Sequence, residues 1–120
     1  MARIVTFGEL LLRLSTSQNH TLSQASTFDL CFGGAEANVA VALAGWGHEV
    51  QYITRVPEND IASAALSSLK KHDVNVKEVI FGGDRLGIYF LQSGIGGRNP
   101  EVTYDRAFSS MSTVHPGMFD

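Results

Sequence analysis

The feature that most constrains the fold is a run of residues, 35–46, that is apolar on nearly every face of a helix. A helix with this pattern is typically buried, and its alanines allow a close approach to a sheet. β-Prone runs precede the helix at 27–32 and follow it at 50–54, and another lies near the start of the chain at 4–7. The order strand, helix, strand predicts an α/β layer.

A second helix is predicted from about residue 60 to His72. Asn59 or Asp60 is placed to cap its first turn. Lys70 and Lys71 fall in its last turn, where positive charge suits the helix dipole. Its inward-facing residues are predicted to be Ile61, Ala65, Leu66 and Leu69.

Further segments have the length and apolar–polar alternation of strands. Leu11 interrupts the alternation in the first of them. Residues 74–81 are predicted as a short strand and turn. The glycine-rich residues 94–97 are predicted as a hairpin-like turn rather than a phosphate cradle, because no helix signal follows them. The pattern predicts a small extra sheet attached to the α/β layer, with strands at approximately 9–15, 27–32, 86–92 and 101–106.

The 120 residues are 44% hydrophobic and 18% charged, with a net charge of −3, which is typical of one soluble domain. No block of like charges is present, so neither nucleic acid nor a membrane is expected as a partner. The N-terminal apolar run is too short for a signal peptide, and no stretch approaches a membrane span. The single cysteine, Cys31, is expected to be a small buried hydrophobe. These features predict a cytoplasmic protein.

Two consecutive glycines, Gly33 and Gly34, stand directly before the apolar helix. They could simply supply the backbone angles of a strand-to-helix turn. Alternatively, they could let a ligand approach the backbone, with amides of the helix N-terminus as donors. Asn38 leaves a similar choice open, because a buried amide needs partners that either the backbone or a ligand hydroxyl can supply.

Tyr104 and Arg106 are two residues apart on a predicted strand, so both side chains point to one face. With Tyr89 from another strand they could bind a small polyhydroxy acid, since a guanidinium fork suits a carboxylate. The alternative is an exposed cross-strand cluster without a ligand. Glu9, after Gly8, could accept hydrogen bonds from sugar hydroxyls or lie on the surface. The four histidines show no metal-ligand spacing.

Four separated segments carry recognisable motifs, at residues 7–14, 33–44, 85–91 and 104–110. The second holds Gly-Gly-Ala-Glu-Ala-Asn, the third Arg-Leu-Gly-Ile-Tyr and the fourth Tyr-Asp-Arg-Ala. In combination they resemble the 2-keto-3-deoxygluconate kinase branch of the PfkB/ribokinase family of carbohydrate kinases. The resemblance extends over almost the whole chain.

This resemblance implies a ribokinase-like three-layer α/β/α core, of which the chain is the N-terminal part within a single kinase domain. A sugar acid would lie between that core and a small β-sheet lid, formed by the four extra strands. Arg106 is the implied partner of the substrate carboxylate, and Tyr89 would come from the lid. The implied substrate-binding residues are Gly34, Ala35, Glu36, Ala37, Asn38, Tyr89, Tyr104, Asp105 and Arg106, with Glu9 and Gly33 as further candidates.

Members of this family are much longer than this chain, and their ATP site lies in the C-terminal half. Their catalytic aspartate lies in a Gly-Ala-Gly-Asp-type motif, which this sequence does not contain. We therefore expect ATP and Mg²⁺ to be cofactors of the full-length enzyme, and the chain alone to bind neither and to be inactive. Without the C-terminal half as a packing partner, the chain is expected to form homo-oligomers through its lid strands.

Two alternatives remain open at this point. One is another kinase of the same family, acting on fructose, ribose or a nucleoside. The other is a non-catalytic ligand-binding module or a designed α/β fragment. Binding of ketodeoxygluconate compared with fructose and ribose discriminates between the sugar-acid kinase and the first alternative.

Overall fold

The computed structural model of the chain describes residues 2–17, 20–94 and 99–119. The turn predicted at 94–97 lies, apart from Gly94, outside these ranges. The described elements in chain order are β1 (Arg3–Phe7), β2 (Leu11–Ser15), β3 (Asp29–Gly33), α1 (Ala35–Gly45), β4 (Glu49–Ile53), β5 (Arg55–Val56), α2 (Asp60–Lys71), β6 (Ile80–Phe81), β7 (Gly87–Gln92) and β8 (Glu101–Asp105).

The α/β layer consists of β1 and β4, which pair in parallel, with α1 packed against both strands. Ala37 and Ala40 are 2% and 0% exposed, so small side chains let the helix approach the sheet closely. The strand directly before the helix, β3, belongs to a different sheet. The partner of β4 is instead β1, from the start of the chain.

The opposite side of α1 is not buried. Val39 is 49% exposed and Trp46, which caps the C-terminal end of the helix, is 75% exposed. One apolar side of α1 is therefore open to solvent among the described residues. The described residues bury the face of Ala37 and Ala40 and partly cover Val41 and Leu43.

A four-stranded sheet has the order β3-β2-β7-β8. β2 runs antiparallel to β3 and parallel to β7, and β7 runs antiparallel to β8. Leu12, Phe32 and Ile88 share the face that packs into the core. Leu11 and Tyr89 lie on the other face, and Leu11 is nonetheless 5% exposed. The broken alternation at Leu11 thus marks a strand that is covered on both faces.

The second helix, α2, begins after Asn59, whose side chain accepts a 2.9 Å hydrogen bond from the Ala62 amide. Ile61 is 47% exposed and Ala62 is buried, so the prediction that Ile61 points inward was wrong by one position. The strand expected within 74–81 is short: β6 pairs with β5, and Asn75 forms an isolated parallel bridge with Gln51. Neither helix of the described ranges has the length and apolar character required to cross a membrane.

Candidate substrate-binding site

A cavity of about 430 Å³ opens between the four-stranded sheet and the N-terminal end of α1. This volume is within the range of small-molecule sites in proteins. Three parts of the chain that are far apart in sequence line it: the start of β2, the β3–α1 junction, and β7 with β8. Its lining residues are Glu9, Leu11, Gly34, Ala35, Glu36, Asn38, Tyr89, Val102, Tyr104 and Arg106.

Gly34 has a φ of 132°, a conformation that residues with a side chain rarely adopt. A Cβ atom at this position would collide with the carbonyl oxygen of Glu9. The strand-to-helix turn can therefore pass over the Glu9 backbone only because residue 34 is glycine. Gly34 is therefore compatible with both roles considered from the sequence, because it forms the strand-to-helix turn and also lines the cavity.

The helix α1 presents its N-terminal end to the cavity, where Ala35 and Glu36 lie. The first amides of a helix have no intrahelical acceptor. Among the described residues no side chain caps this end of α1. These amides and the positive end of the helix dipole therefore suit an oxygen-rich or anionic ligand.

Asn38 and Tyr89 converge above Gly33. A Cβ atom built on Gly33 would lie 3.4 Å from Asn38 Oδ1 and 3.6 Å from the Tyr89 hydroxyl oxygen. These are ordinary contact distances, so an amide from α1 and a phenol from β7 lie side by side next to Gly33. Both groups can donate and accept hydrogen bonds, as recognition of sugar hydroxyls requires.

Tyr89 and Tyr104 are directly opposite each other on β7 and β8, with ring centroids 5.8 Å apart. The guanidinium carbon of Arg106 lies 5.1 Å from the Tyr104 ring centroid, within the range of a cation–π contact. The predicted shared face of Tyr104 and Arg106 agrees with this geometry, although β8 ends one residue before Arg106. The two tyrosines and the arginine form one wall of the cavity.

Glu9 lies deeper than Arg106, with 17% of its side chain exposed compared with 53% for the arginine. Its Oε2 accepts a 2.5 Å hydrogen bond from the Ser109 hydroxyl, and its Oε1 is 3.7 Å from Arg106 Nη1. A Cβ atom at Gly87 would lie 2.7 Å from Glu9 Oε2 and 2.8 Å from the Arg106 Cβ. Because Gly87 has no side chain, the side chains of Glu9 and Arg106 can both approach this position.

Tyr52 stabilises the turn that precedes β2. This tyrosine is fully buried, and its hydroxyl donates a 2.8 Å hydrogen bond to the Gly8 carbonyl. Burial raises the pKa of the Tyr52 hydroxyl, since the charged form would be desolvated.

The Glu36 carboxylate occupies the space where Gly8 has no side chain. Two glutamates, Glu9 and Glu36, consequently reach one cavity.

Three of the residues implied by the resemblance, Ala37, Asp105 and the further candidate Gly33, are not in the lining of this cavity. Ala37 is 2% exposed and packs in the core. Asp105 is on the face of β8 opposite to Tyr104, and its carboxylate forms a 2.9 Å ion pair with Arg85. Arg85 also donates to the Asp105 carbonyl. In this arrangement the aspartate fixes the end of β8 rather than lining the cavity.

Sequence reasoning did not identify four residues of this region. Leu11 and Val102 line the cavity, whereas Gly87 and Ser109 shape it from behind. Leu11 carried a signal, because it broke the alternation of its strand. Val102 shares the strand face of Tyr104 by the same two-residue period. Ser109 carried none, since it contacts a residue 100 positions earlier.

The described lining contains two carboxylates, Glu9 and Glu36, and one guanidinium, Arg106. Within residues 2–17, 20–94 and 99–119, no three His, Cys, Asp or Glu side chains are grouped so that they could hold a metal ion.

The model of the pfkB family of carbohydrate kinases matches residues 1–116. The chain belongs to this family of carbohydrate kinases. It is 35% identical over 112 residues to the 2-dehydro-3-deoxygluconokinase of Bacillus subtilis, covering 92% of this chain and 34% of that protein. It is 30% identical over 115 residues to the 2-dehydro-3-deoxygalactonokinase of Haloferax volcanii, covering 96% of this chain and 36% of that protein. The chain thus spans about a third of the length of these relatives.

Solved structures show the same fold. The 2-dehydro-3-deoxygluconokinase of Thermotoga maritima superposes with a TM-score of 0.96 at 42% identity, over 100% of this chain and 37% of that chain. A sugar kinase from Pyrococcus horikoshii in complex with ATP gives a TM-score of 0.79 at 26% identity, over 89% of this chain and 35% of that chain. These likenesses confirm the predicted ribokinase-like α/β fold and the resemblance on which it was based.

Proposed function

We propose that this chain forms the substrate-binding part of an ATP-dependent kinase that phosphorylates 2-keto-3-deoxygluconate to the 6-phosphate. The observation that carries the proposal is the convergence of Arg106, Tyr104 and Tyr89 with the N-terminal end of α1 around one cavity. The names of the two relatives given above both specify a sugar acid. A ligand of this class carries a carboxylate at one end and hydroxyls along its length.

Arg106 is suited to the carboxylate end. Its separation from Glu9 Oε1, 3.7 Å, exceeds hydrogen-bond distance. The guanidinium fork therefore keeps donors for a ligand carboxylate, which it can bind bidentately. Stacking on Tyr104 restricts the guanidinium plane and reduces the entropy lost on binding.

The other end of the cavity is suited to hydroxyls. Asn38 and Tyr89 offer donors and acceptors side by side above Gly33. Glu36 offers acceptors, and the first amides of α1 offer donors. A polyhydroxy chain lying from Arg106 towards Asn38 would have partners along its length.

The test is calorimetric titration of the chain with 2-keto-3-deoxygluconate, fructose and ribose. Arg106→Ala is expected to weaken sugar-acid binding by roughly tenfold or more, because a charge-assisted pair is lost, and to leave binding of the neutral sugars unchanged. Arg3→Ala is the matched control, since Arg3 is a surface arginine that pairs with Glu49 on β1 and β4. Equal affinity for all three sugars, unaffected by Arg106→Ala, would contradict the proposal.

A second candidate function is phosphorylation of a neutral sugar by the same family fold. The observation in its favour is the excess of carboxylates in the described lining, where Glu9 and Glu36 face a single Arg106. Carboxylates accept hydrogen bonds from hydroxyls but repel an anionic ligand. Tighter binding of fructose or ribose than of the sugar acid in the same titration would favour this candidate.

We assign ATP, Mg²⁺ and the base that deprotonates the acceptor hydroxyl to the part of the family fold that this chain does not match. Phosphoryl transfer requires the nucleotide and its metal to be held in line with the acceptor. The chain alone is therefore expected to produce no sugar phosphate in a coupled ADP-release assay, and measurable turnover would refute this assignment.

We also propose that the sheet β3-β2-β7-β8 acts as the lid over the sugar and mediates self-association. β8 is exposed along its whole length, and β3 and β8 are the outer strands of this sheet. Outer strands have unpaired backbone groups that invite another strand. Sedimentation velocity is expected to show a species heavier than the 13.0 kDa monomer. Thr103→Pro on β8 is expected to lower the fraction of the chain in that species. A monomer at every concentration would contradict self-association.

A further inference from the structure

Ser109 connects two parts of the site that are 100 residues apart in sequence. Its hydroxyl donates a 2.5 Å hydrogen bond to Glu9 Oε2, and the residue is 1% exposed. It lies in the turn after β8 and outside the lining of the cavity. A buried hydroxyl bound to a carboxylate forms one of the stronger hydrogen bonds in proteins.

The orientation of the Ser109 hydroxyl is fixed by its own turn. Its oxygen accepts a 3.3 Å hydrogen bond from the Ser112 amide, so its hydrogen is directed to Glu9. The backbone amide of Ser109 donates a 3.2 Å hydrogen bond to the Arg106 carbonyl. One residue therefore holds the backbone of Arg106 and the side chain of Glu9 at the same time.

The spacing between Glu9 and Arg106 follows from this anchoring. With Oε2 held by Ser109, Oε1 stays 3.7 Å from Arg106 Nη1, which is longer than a direct hydrogen bond. A carboxylate released from Ser109 would close on the guanidinium and form the bidentate pair that such groups prefer. That pair would compete directly with a carboxylate on the ligand.

We propose that Ser109 is a positioning residue that holds the Glu9 carboxylate away from Arg106, and so keeps the guanidinium free for the carboxylate of a sugar acid. This role rests on the proposed function, in which Arg106 binds that carboxylate. Ser109 thereby contributes to the choice between sugar acids and neutral sugars without touching either.

The test compares Ser109→Ala with Ser112→Ala by calorimetric titration with 2-keto-3-deoxygluconate and with fructose. Ser112→Ala is a matched control, because its hydroxyl donates a 2.9 Å hydrogen bond to the Ser109 carbonyl in the same turn but does not contact Glu9. Ser109→Ala is expected to weaken sugar-acid binding roughly fivefold to tenfold, with fructose binding unchanged. Adding Glu9→Gln to Ser109→Ala removes the competing charge and is expected to restore most of the lost affinity.

Equal losses in the two serine variants, or an equal loss for fructose, would overturn the role of Ser109. A readout that needs no ligand is the ¹H–¹⁵N NMR signal of the Arg106 Nε group. Ser109→Ala is expected to shift this signal as Glu9 closes on the guanidinium, and Glu9→Gln in the same chain is expected to cancel the shift. If the wild-type chain binds neither sugar, the proposed function fails, whereas an unchanged Arg106 signal in Ser109→Ala overturns the positioning role itself.

Discussion

The hydroxyl of Tyr52 donates a 2.8 Å hydrogen bond to the carbonyl oxygen of Gly8, and so joins β4 to the turn that carries Glu9 into the cavity. Tyr52 is fully buried. Tyr52→Phe removes the donor and leaves the Gly8 carbonyl without it, so we expect the free energy of unfolding to fall by about 1–2 kcal/mol. Urea unfolding followed by circular dichroism measures this change.

Tyr104→Phe serves as the comparison for that variant, because Tyr104 is 61% exposed. Because the residue is largely exposed, the same chemical change is expected to leave the free energy of unfolding within about 0.5 kcal/mol of the wild type. Equal effects of the two substitutions would show that the buried hydrogen bond contributes nothing to stability.

The raised pKa of Tyr52 predicts a loss of stability in alkali. Burial keeps the proton on the folded chain, whereas an unfolded tyrosine releases it at about pH 10. The unfolded state therefore binds fewer protons above that pH, and the free energy of unfolding is expected to fall as the pH rises further. Tyr52→Phe should reduce this dependence of stability on pH. Urea unfolding at a series of pH values from about 8 upwards, a range that includes the ordinary tyrosine pKa of about 10, tests this prediction.

Gly34→Ala is expected to disrupt the junction between β3 and α1. The new Cβ would collide with the Glu9 carbonyl at a backbone φ of 132°, and strain of this kind costs about 1–3 kcal/mol. Sugar binding should be lost together with stability. Thermal unfolding and titration with 2-keto-3-deoxygluconate measure the two effects.

Gly45→Ala provides the reference substitution in the same helix. A Cβ atom at Gly45 would meet none of the described atoms within 4 Å, and Gly45 is the last residue of α1. Alanine favours a helix over glycine by up to about 1 kcal/mol, so this variant should match or exceed the stability of the wild type. Destabilisation by Gly45→Ala as large as by Gly34→Ala would refute the explanation given for Gly34.

Asn59→Ala is expected to lower the free energy of unfolding by about 1 kcal/mol, because the side chain caps α2 by accepting from the Ala62 amide. Asn59→Asp keeps an acceptor and should retain most of the stability. Since Asn59 is not among the residues that line the substrate cavity, the affinity for sugar should be unchanged in both variants. Thermal unfolding and titration in parallel separate the two outcomes.

The sequence predicted those parts of the fold that depend on local periodicity. The cap at Asn59 and the shared face of Tyr104 and Arg106 needed only the spacing of neighbouring residues. The pairing of β4 with β1 was not predicted, because no local pattern states which strands share a sheet. Ile61 was misplaced because adjacent positions on a helix differ by about 100° and both Ile61 and Ala62 are apolar.

The candidate site was predictable where a motif coincided with a geometric rule. Gly34 directly precedes α1 and Asn38 lies in its first turn, and both residues line the cavity. Asp105 was included with its motif as a whole, although the two-residue period of a strand places it on the opposite face from Tyr104. The bond between Ser109 and Glu9 depends on the complete fold and leaves no trace in either local sequence.

The parallel pairing of β2 with β7, described as part of the four-stranded sheet, brings Leu11 opposite Gly87. Such a contact closes a much longer loop than any turn, and folding rates fall as contacts of this kind increase. The unit of β1, α1 and β4 can form within the first half of the chain. A newly synthesised chain is therefore expected to form the α/β layer of β1, α1 and β4 early. The wall of the cavity made by Tyr89, Tyr104 and Arg106 can be completed only after β8 has been synthesised.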